Sequence, residues 1–268
     1  MANNSVSASR SALGIIGFGA FGRLMAQHLQ PYFRVLAYDP ALAPGPAEEE
    51  GGVMLTSLPA AASCPVVVLA TPVGKLDEAV RAIAPHLRPG SLVLDVGSVK
   101  IVPADIMRRG LPGYVDIVAT HPLFGPQSAR NGIKGLKIAV CPIRGRSAAR
   151  ISAFLRKALG LRVIVTTPEI HDRDAATVQG LTHLIAKVLV QMEPLPTHLT
   201  TRSFDLLMEG VGMVRHDSPE VFQAIEHSNP HALGVRRRFF DLASAVDAEL
   251  TGATTTIQHL RVTRRSGQ

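Results

Sequence analysis

The sequence predicts an α/β fold, with a doubly wound sheet over residues 1–166 and an all-helical domain over residues 167–268. Two observations carry this prediction. The first part alternates short runs of Val, Ile and Leu with helix-like stretches, whereas the second part has helix-period patterns and few runs typical of strands. The chain has 268 residues, 46% of them hydrophobic, which suffices for two domains with separate cores.

The strands of the first domain are predicted from apolar runs that are continuous rather than alternating. Such runs are typical of parallel strands that helices cover on both faces. Gly and Pro residues separate them from the helix-like stretches. We expect strands near 12–17, 33–38, 66–70, 92–96, 115–119, 136–141 and 162–166.

The second domain is predicted from helix signals after the last strand. Thr167, followed by Pro and Glu, is typical of a helix start, with an N-cap hydroxyl, a proline at the first helical position and an acid in the first turn. This helix should continue to about Met192, until Pro194 and Pro196 end it. Further helices are expected around 200–214, 218–227 and 231–250, and a loose basic tail from about Arg261.

The charge balance favours anionic partners. The formal net charge is +7, which attracts nucleic acids, phosphates or small carboxylates alike. Only 4% of residues are aromatic, there is no Trp, and the densest basic run is Arg236–Arg238. That run is more typical of a solvated helix face than of a nucleic-acid surface. We therefore expect a small anionic ligand and no nucleic acid.

The cysteines and apolar segments predict a cytoplasmic chain without a metal site. Cys64 and Cys141 are too far apart in sequence for a metal knuckle or a redox pair, and their scarcity suits a reducing compartment. Three glycines interrupt the first apolar run, residues 13–21, which argues against a signal peptide. No run approaches the roughly 18 apolar residues that a membrane helix needs.

A glycine fingerprint follows the first predicted strand. Gly17, Gly19 and Gly22 have the spacing G-x-G-x-x-G, which allows a tight turn, close approach to a pyrophosphate and packing of helix on strand. The second strand ends at Asp39, whose carboxylate can bind ribose hydroxyls and repel the 2′-phosphate of NADP. Alternatively, Asp39 and Pro40 only form a turn. We predict a Rossmann-type NAD site formed by Gly17, Gly19, Phe21, Gly22, Asp39 and Thr71.

Two further segments place polar residues after predicted strands. Ser98 and Lys100 follow the strand near 92–96 in DVGSVK, and His121 follows the strand near 115–119 in THPLFGPQS. Ligands of open α/β sheets bind at this carboxyl edge. An imidazole there can take a proton from a hydroxyl while hydride leaves the same carbon. A histidine at a strand end can equally be a turn or capping residue.

The long helix carries a polar arc. At about 100° per residue, His171, Ala175, Gln179, Thr182 and His183 fall within roughly 120° of one another. Such an arc either faces solvent or lines a cleft. The helix should pack through the apolar residues beside it: Leu181, Leu184, Ile185, Val188 and Leu189.

The order and spacing of these motifs resemble the prephenate/arogenate dehydrogenase family. The likeness extends from the glycine fingerprint through GSVK and HPLFGP to the helix segment in which His183 follows His171 by twelve residues. It implies NAD-dependent oxidative decarboxylation of prephenate or arogenate in tyrosine biosynthesis. It also implies a small anionic cyclohexadienyl substrate and a homodimer that forms through the helical domain.

The resemblance also implies roles for particular residues. His121 would accept the ring hydroxyl's proton, and Ser98 would hydrogen-bond both that hydroxyl and the histidine. Gln179 and His183 would line the substrate pocket. Arg202 lies near the place of the family's carboxylate-binding cation, in a weakly matching segment. Gln127 is a departure, because many relatives carry Asp or Glu at that place.

Two other functions fit parts of the pattern. One is a 3-hydroxyacid or imine oxidoreductase, which shares this architecture and usually relies on a lysine in the long helix. Lys187, the lysine of that helix, lies outside the polar arc. The other is a nucleotide-sensing regulatory protein, which would keep the glycine loop but would not need His121 and Ser98 together.

Overall fold

A computed structural model of the chain describes residues 10–46 and 52–252. Within these residues the strands form one sheet of nine, in the order β3-β4-β2-β1-β5-β6-β7-β8-β9. The strands are β1 (Ala12–Ile16), β2 (Arg34–Tyr38), β3 (Gly45–Pro46), β4 (Val53–Leu55), β5 (Val66–Leu69), β6 (Leu92–Asp95), β7 (Asp116–Pro122), β8 (Lys137–Arg144) and β9 (Arg162–Val165). The basic tail expected from Arg261 lies outside the described residues.

The sheet confirms the predicted Rossmann-type fold and corrects two details. Strands β4, β2, β1, β5, β6 and β7 are parallel to one another, whereas β3 pairs antiparallel with β4. The expectation of parallel strands throughout is wrong, because β8 runs antiparallel to β7. Residues 123–136 form turns instead of the crossover helix that a parallel return needs. Strands β3 and β4, which the sequence did not indicate, have only two and three residues.

Helices cover both faces of the sheet and also form most of residues 168–250. They are α1 (Ala20–Leu29), α2 (Leu58–Ala62), α3 (Leu76–Ile83), α4 (Ile101–Gly110), α5 (Ser147–Lys157), α6 (Pro168–Gln191), α7 (Arg202–Val214), α8 (Pro219–Gln223) and α9 (Ala232–Leu250), with a π-helical turn at Ala224–Ser228. The long helix α6 has its expected start, because the hydroxyl of Thr167 accepts a hydrogen bond from the amide of Ile170.

Two apolar cores lie on opposite faces of the sheet. Along β1, Leu13 and Ile15 belong to one core and Ile16 belongs to the other. Along β5, Val68 belongs to the first of these cores and Val67 to the second. Successive side chains of a strand point to opposite faces, so a strand that is covered twice must be apolar at every position. This explains why the predicted strands are continuous apolar runs.

The helical part of the chain begins directly after the sheet. Strand β9 ends at Val165 and α6 begins at Pro168, which brackets the division predicted at residues 166 and 167. Helix α6 packs against α7 and α9 and also against α4 of the sheet region. The division into two domains therefore stays a prediction. Among the helices described, none is long and apolar enough to cross a membrane.

Candidate active site

The glycine loop between β1 and α1 leaves room for a ligand. Gly17 has φ +98°, and a Cβ on it would lie 2.7 Å from the carbonyl oxygen of Ala70. A Cβ on Gly22 would lie 2.3 Å from the carbonyl oxygen of Gly17, so the helix can approach the strand only without a side chain there. At Gly19, the N-cap of α1, a Cβ would meet nothing within 4 Å. That open backbone at a helix N-terminus is where a phosphate group can bind.

The other predicted cofactor residues surround this loop. The Asp39 carboxylate accepts hydrogen bonds from the amides of Phe18 (2.8 Å) and Ala41 (3.0 Å), and it retains lone pairs for ribose hydroxyls. The Phe21 ring packs 6.3 Å from that of Phe124, in the loop after β7. Beyond β5, the Thr71 hydroxyl is buried without a hydrogen-bond partner. An unpartnered buried hydroxyl at this edge fits a ligand that supplies the partner, and together these features fit a dinucleotide.

His121 lies near the carboxyl end of β7 with only 3% of its surface exposed. Its Nδ1 is 2.8 Å from Nε2 of His171, and its Nε2 is 3.4 Å from the amide nitrogen of Gln179. Gln179 therefore approaches His121, and its predicted place in the wall of a substrate pocket stays a prediction. The side-chain oxygen Oε1 of Gln179 is buried and has no partner. The imidazole thus lies under α6, beside a polar atom that is free to bind a ligand.

His171 is in turn held by its neighbour in sequence. Its Nδ1 lies 2.8 Å from Oδ1 of Asp172. The Asp172 carboxylate also accepts hydrogen bonds from the amides of Lys100 (2.7 Å) and Ile101 (2.9 Å) at the start of α4. The sequence places His171 on the polar arc, but neither His171 nor Asp172 was predicted to have a role. The dipeptide His-Asp in the first turns of a long helix is a signal that could have indicated one.

A buried ion pair lies below His121. The ammonium group of Lys100 contacts the Asp95 carboxylate and donates to the carbonyl oxygen of Thr120 at 2.7 Å, and the Lys100 and Asp95 side chains are at most 1% exposed. Burial raises the pKa of Asp95, and the Lys100 charge offsets part of the rise. Burial also lowers the pKa of His121 well below its ordinary value, helped by charge on His171, Lys100 and His183. A neutral imidazole at position 121 follows.

The structure does not form the hydrogen bond between Ser98 and His121 that the resemblance implies. Ser98 is half-buried in the loop between β6 and α4, at the expected edge of the sheet. The partners of the His121 nitrogens are His171 and Gln179 instead. Helix α6 therefore provides the contacts that were expected from this loop. A bond from Ser98 to a substrate hydroxyl stays a prediction.

The polar arc of α6 divides between the interior and solvent. His183 is buried, with Nδ1 at 3.0 Å from the carbonyl oxygen of Gln179 and Nε2 at 3.1 Å from Oδ2 of Asp217. The Asp217 carboxylate lies beside Gly125 in the loop after β7, where a Cβ would lie 3.7 Å from its Oδ1. Thr182 is exposed, and its hydroxyl donates to the carbonyl oxygen of Val178. Solvent exposure therefore holds for Thr182, whereas His171 and His183 face the interior, and the cleft stays a prediction.

Two predicted substrate residues lie apart from this cluster. Arg202 is the first residue of α7; its side chain is 72% exposed and lies 3.4 Å from the Glu209 carboxylate. Gln127 is exposed in the loop after β7. Their roles stay predictions. The Lys187 ammonium lies over the Phe222 ring, 4.3 Å from its centroid.

Comparisons with known proteins agree with this geometry. Residues 46–165 match the family model described as prephenate dehydrogenase, nucleotide-binding domain. The chain is 27% identical over 254 residues to arogenate dehydrogenase 1, chloroplastic, of Arabidopsis thaliana, covering 91% of this chain and 40% of that protein. It is 28% identical over 207 residues to a probable arogenate/prephenate dehydrogenase of Methanocaldococcus jannaschii, covering 72% and 46%. The chain thus spans less than half the length of these relatives.

A solved structure shows the same fold. The prephenate dehydrogenase of A. aeolicus, in complex with hydroxyphenyl propionate and NAD+, superposes with a TM-score of 0.68 at 20% identity. The likeness covers 92% of this chain and 93% of that chain. The helices that follow the sheet are therefore part of the shared architecture.

Proposed function

We propose, from the premise that this chain belongs through residues 46–165 to the prephenate dehydrogenase family, that it catalyses the NAD-dependent oxidative decarboxylation of prephenate or arogenate. One observation carries the proposal. His121 is a buried imidazole whose pKa is held low, at the sheet edge that carries the glycine loop. Such a group is unprotonated at neutral pH and can act as a base.

The residues present can perform the proton transfer that this reaction needs. Nε2 of His121 takes the proton of the substrate's ring hydroxyl as hydride leaves the carbon that bears it. Bound NAD supplies the oxidant that accepts this hydride. The ring carboxylate then departs as carbon dioxide, its bonding electrons complete the aromatic ring, and the proton returns from His121 to the phenol oxygen. The protein's contribution is to orient the substrate and to move one proton.

The same proposal includes NAD rather than NADP as the cofactor. Asp39 follows β2, and the amides of Phe18 and Ala41 hold its carboxylate in place by hydrogen bonds. A fixed negative charge there favours ribose hydroxyls and repels a 2′-phosphate. We expect a KM for NAD at least about tenfold below that for NADP, since one close charge repulsion is worth about 1.4 kcal/mol or more. A lower KM for NADP would contradict the assignment.

A homodimer formed by the helical part completes the proposal. Large apolar side chains of α7 and α9 are exposed in the single chain, among them Leu206, Phe240, Leu242 and Val246. Exposed apolar patches of this kind are typical of subunit interfaces. A cytoplasmic location is proposed as well, because Cys64 and Cys141 are both free thiols.

An assay of NADH formation with prephenate, arogenate and several 3-hydroxy acids in parallel tests the reaction. We expect turnover with prephenate, arogenate or both. Oxidation of a 3-hydroxy acid alone would favour a 3-hydroxyacid dehydrogenase. NAD binding without turnover of any of these substrates would favour a nucleotide sensor.

The substitution His121→Asn tests the carrying observation. It should lower kcat by about two powers of ten or more, as loss of a general base does, while the Kd for NAD stays unchanged. His198→Asn is the matched control, because His198 is exposed between α6 and α7. Near-normal turnover of His121→Asn would remove His121 from the mechanism.

A further inference from the structure

We infer that Asp172, His171 and His121 form a hydrogen-bonded row that determines which nitrogen of His121 receives the substrate's proton. The inference rests on the proposed function and assigns to Asp172 and His171 a positioning role in it. The row joins two helices to the sheet edge. Asp172 and His171 lie on α6, and the Asp172 carboxylate caps the start of α4 by accepting from two of its amides. His121 lies on β7.

The row has a defined direction because its first member can only accept. An ionised carboxylate has no proton to donate. Two backbone amides of α4 donate to Asp172, and its side chain is fully buried, so its orientation is fixed. Nδ1 of His171, at 2.8 Å from that carboxylate, must therefore carry a hydrogen. In the neutral ring this leaves a lone pair on Nε2 of His171.

The second hydrogen bond transmits the same constraint to His121. Nε2 of His171, now an acceptor, lies 2.8 Å from Nδ1 of His121. Nδ1 of His121 must then carry the hydrogen, and its Nε2 keeps the lone pair. His121 is thereby held in the one neutral tautomer whose basic nitrogen lies away from His171. Without this constraint both tautomers would be populated, and one of them has no lone pair to offer at Nε2.

The other side of His121 agrees with this assignment. The Gln179 amide nitrogen, a donor, lies 3.4 Å from Nε2 of His121, at the long end of the hydrogen-bond range. A substrate hydroxyl can displace the Gln179 amide and donate its own hydrogen to the lone pair on Nε2 of His121. The side-chain oxygen Oε1 of Gln179, which is buried and unpartnered, remains free for a second substrate hydrogen.

The charged groups around His121 explain why a carboxylate is needed in the row. The groups that face it are His171, His183 and Lys100, and a positive charge on any of them disfavours a second positive charge on the ring. Asp95 is engaged by Lys100 directly below. Asp172 is then the carboxylate that reaches the ring through His171. When His121 takes the proton, its Nδ1–H points along the row, and Asp172 stabilises the resulting positive charge.

Histidine ¹⁵N NMR of the wild-type protein tests the row directly. The His121 signals are those that His121→Asn removes. We expect them at neutral pH to show a hydrogen on Nδ1 and none on Nε2, and the His171 signals to show the same tautomer. A hydrogen on Nε2 of His121 would overturn the inference. This readout is independent of turnover, so it also decides the row if neither prephenate nor arogenate is a substrate, in which case the proposed function fails instead.

Two substitutions of His171 connect the row to catalysis. His171→Leu removes the acceptor, and we expect kcat to fall about 100-fold at an unchanged Kd for NAD, with both tautomers of His121 present in the spectrum. In His171→Gln the side-chain carbonyl can still accept from Nδ1, so part of the activity should return. A kcat of His171→Leu within about threefold of wild type would overturn the positioning role. A thermal melt checks that both variants fold, and the wild-type spectrum decides the row if they do not.

Discussion

The sheet region buries most of its large apolar side chains, whereas the helices α7 and α9 expose most of theirs. In the sheet region, runs of Val, Ile and Leu are buried in two cores. In α7 and α9, Val211 and Ala232 are the buried residues. Large apolar side chains of these two helices are between 44% and 82% exposed: Leu206, Leu207, Met213, Leu233, Phe240, Leu242, Val246 and Leu250. The sheet region buries its own core, whereas α7 and α9 expose an apolar surface of the kind that the proposed dimer would cover.

The candidate site lies where these regions meet. His121 comes from the sheet, and His171 and Gln179 come from α6, the helix on which α7 and α9 pack. The proton-transfer geometry therefore depends on how firmly α6 is seated on the sheet. The comparison predicts that substitutions in the sheet region act on unfolding, that substitutions on α9 act on association, and that substitutions at the junction act on both folding and activity.

The largest effect should come from the buried ion pair of the sheet region. Lys100→Met leaves Asp95 without its partner in the interior, and the free energy of unfolding should fall by about 3–5 kcal/mol in urea denaturation. The double variant Lys100→Met with Asp95→Asn is the control, because it removes both charges and should recover part of the loss. A loss below about 1 kcal/mol in the single variant would show that this interior tolerates an unpaired charge.

Next comes association through the helical region. Phe240→Glu on α9 should weaken the proposed dimer by about 1.5–3 kcal/mol, the value of burying one large apolar side chain, which raises its Kd at least tenfold. Met54→Glu on β4 is the matched control, since Phe240 is 48% exposed and Met54 is 46% exposed. Analytical sedimentation of both variants measures their association. Dissociation of the dimer by Met54→Glu, or an intact dimer in Phe240→Glu, would contradict the assignment of association to α9.

At the junction, stability should depend on pH through His121. Burial lowers the pKa of this histidine, so between its folded value and the unfolded value near 6.5 the unfolded chain binds the extra proton. Stability due to this group is then complete above about pH 6.5 and falls as the pH drops, by at most about 1.4 kcal/mol per unit. Urea denaturation between pH 5 and 8 should give a smaller slope for His121→Asn than for wild type. Equal slopes would mean that folding does not lower the pKa of His121.

The smallest effect concerns the start of α6. Thr167→Ala removes the hydroxyl that accepts from the Ile170 amide, and should lower the free energy of unfolding by about 1 kcal/mol. Thr201→Ala removes the equivalent cap of α7, where the partner is the Phe204 amide. If the sheet and the outer helices unfold separately, only Thr167→Ala should change the transition of the sheet. Equal shifts of that transition in both variants would show that the regions unfold as one unit.

Much of the fold was predictable because strands, helix starts and helix ends each have a signal in a few consecutive residues. The seven longer strands are continuous apolar runs, and α6 begins at a capping threonine and ends shortly before two prolines. The glycine loop was predictable for the same reason, since a Cβ on Gly17 or Gly22 would collide with nearby backbone. Strands β3 and β4 were missed because two or three residues are too few for a periodic pattern.

The order of amino acids is enough to show which side chains the site has available and on which elements they lie. Which of these side chains meet depends on how the elements pack. His121 contacts His171, fifty residues away along the chain, because α6 packs on α4 with its first turns over the carboxyl edge of the sheet. Periodicity placed Thr182 and His183 on the same arc, yet one faces solvent and the other the interior. A helical pattern fixes the angles between side chains, whereas packing against another element fixes which direction is inward.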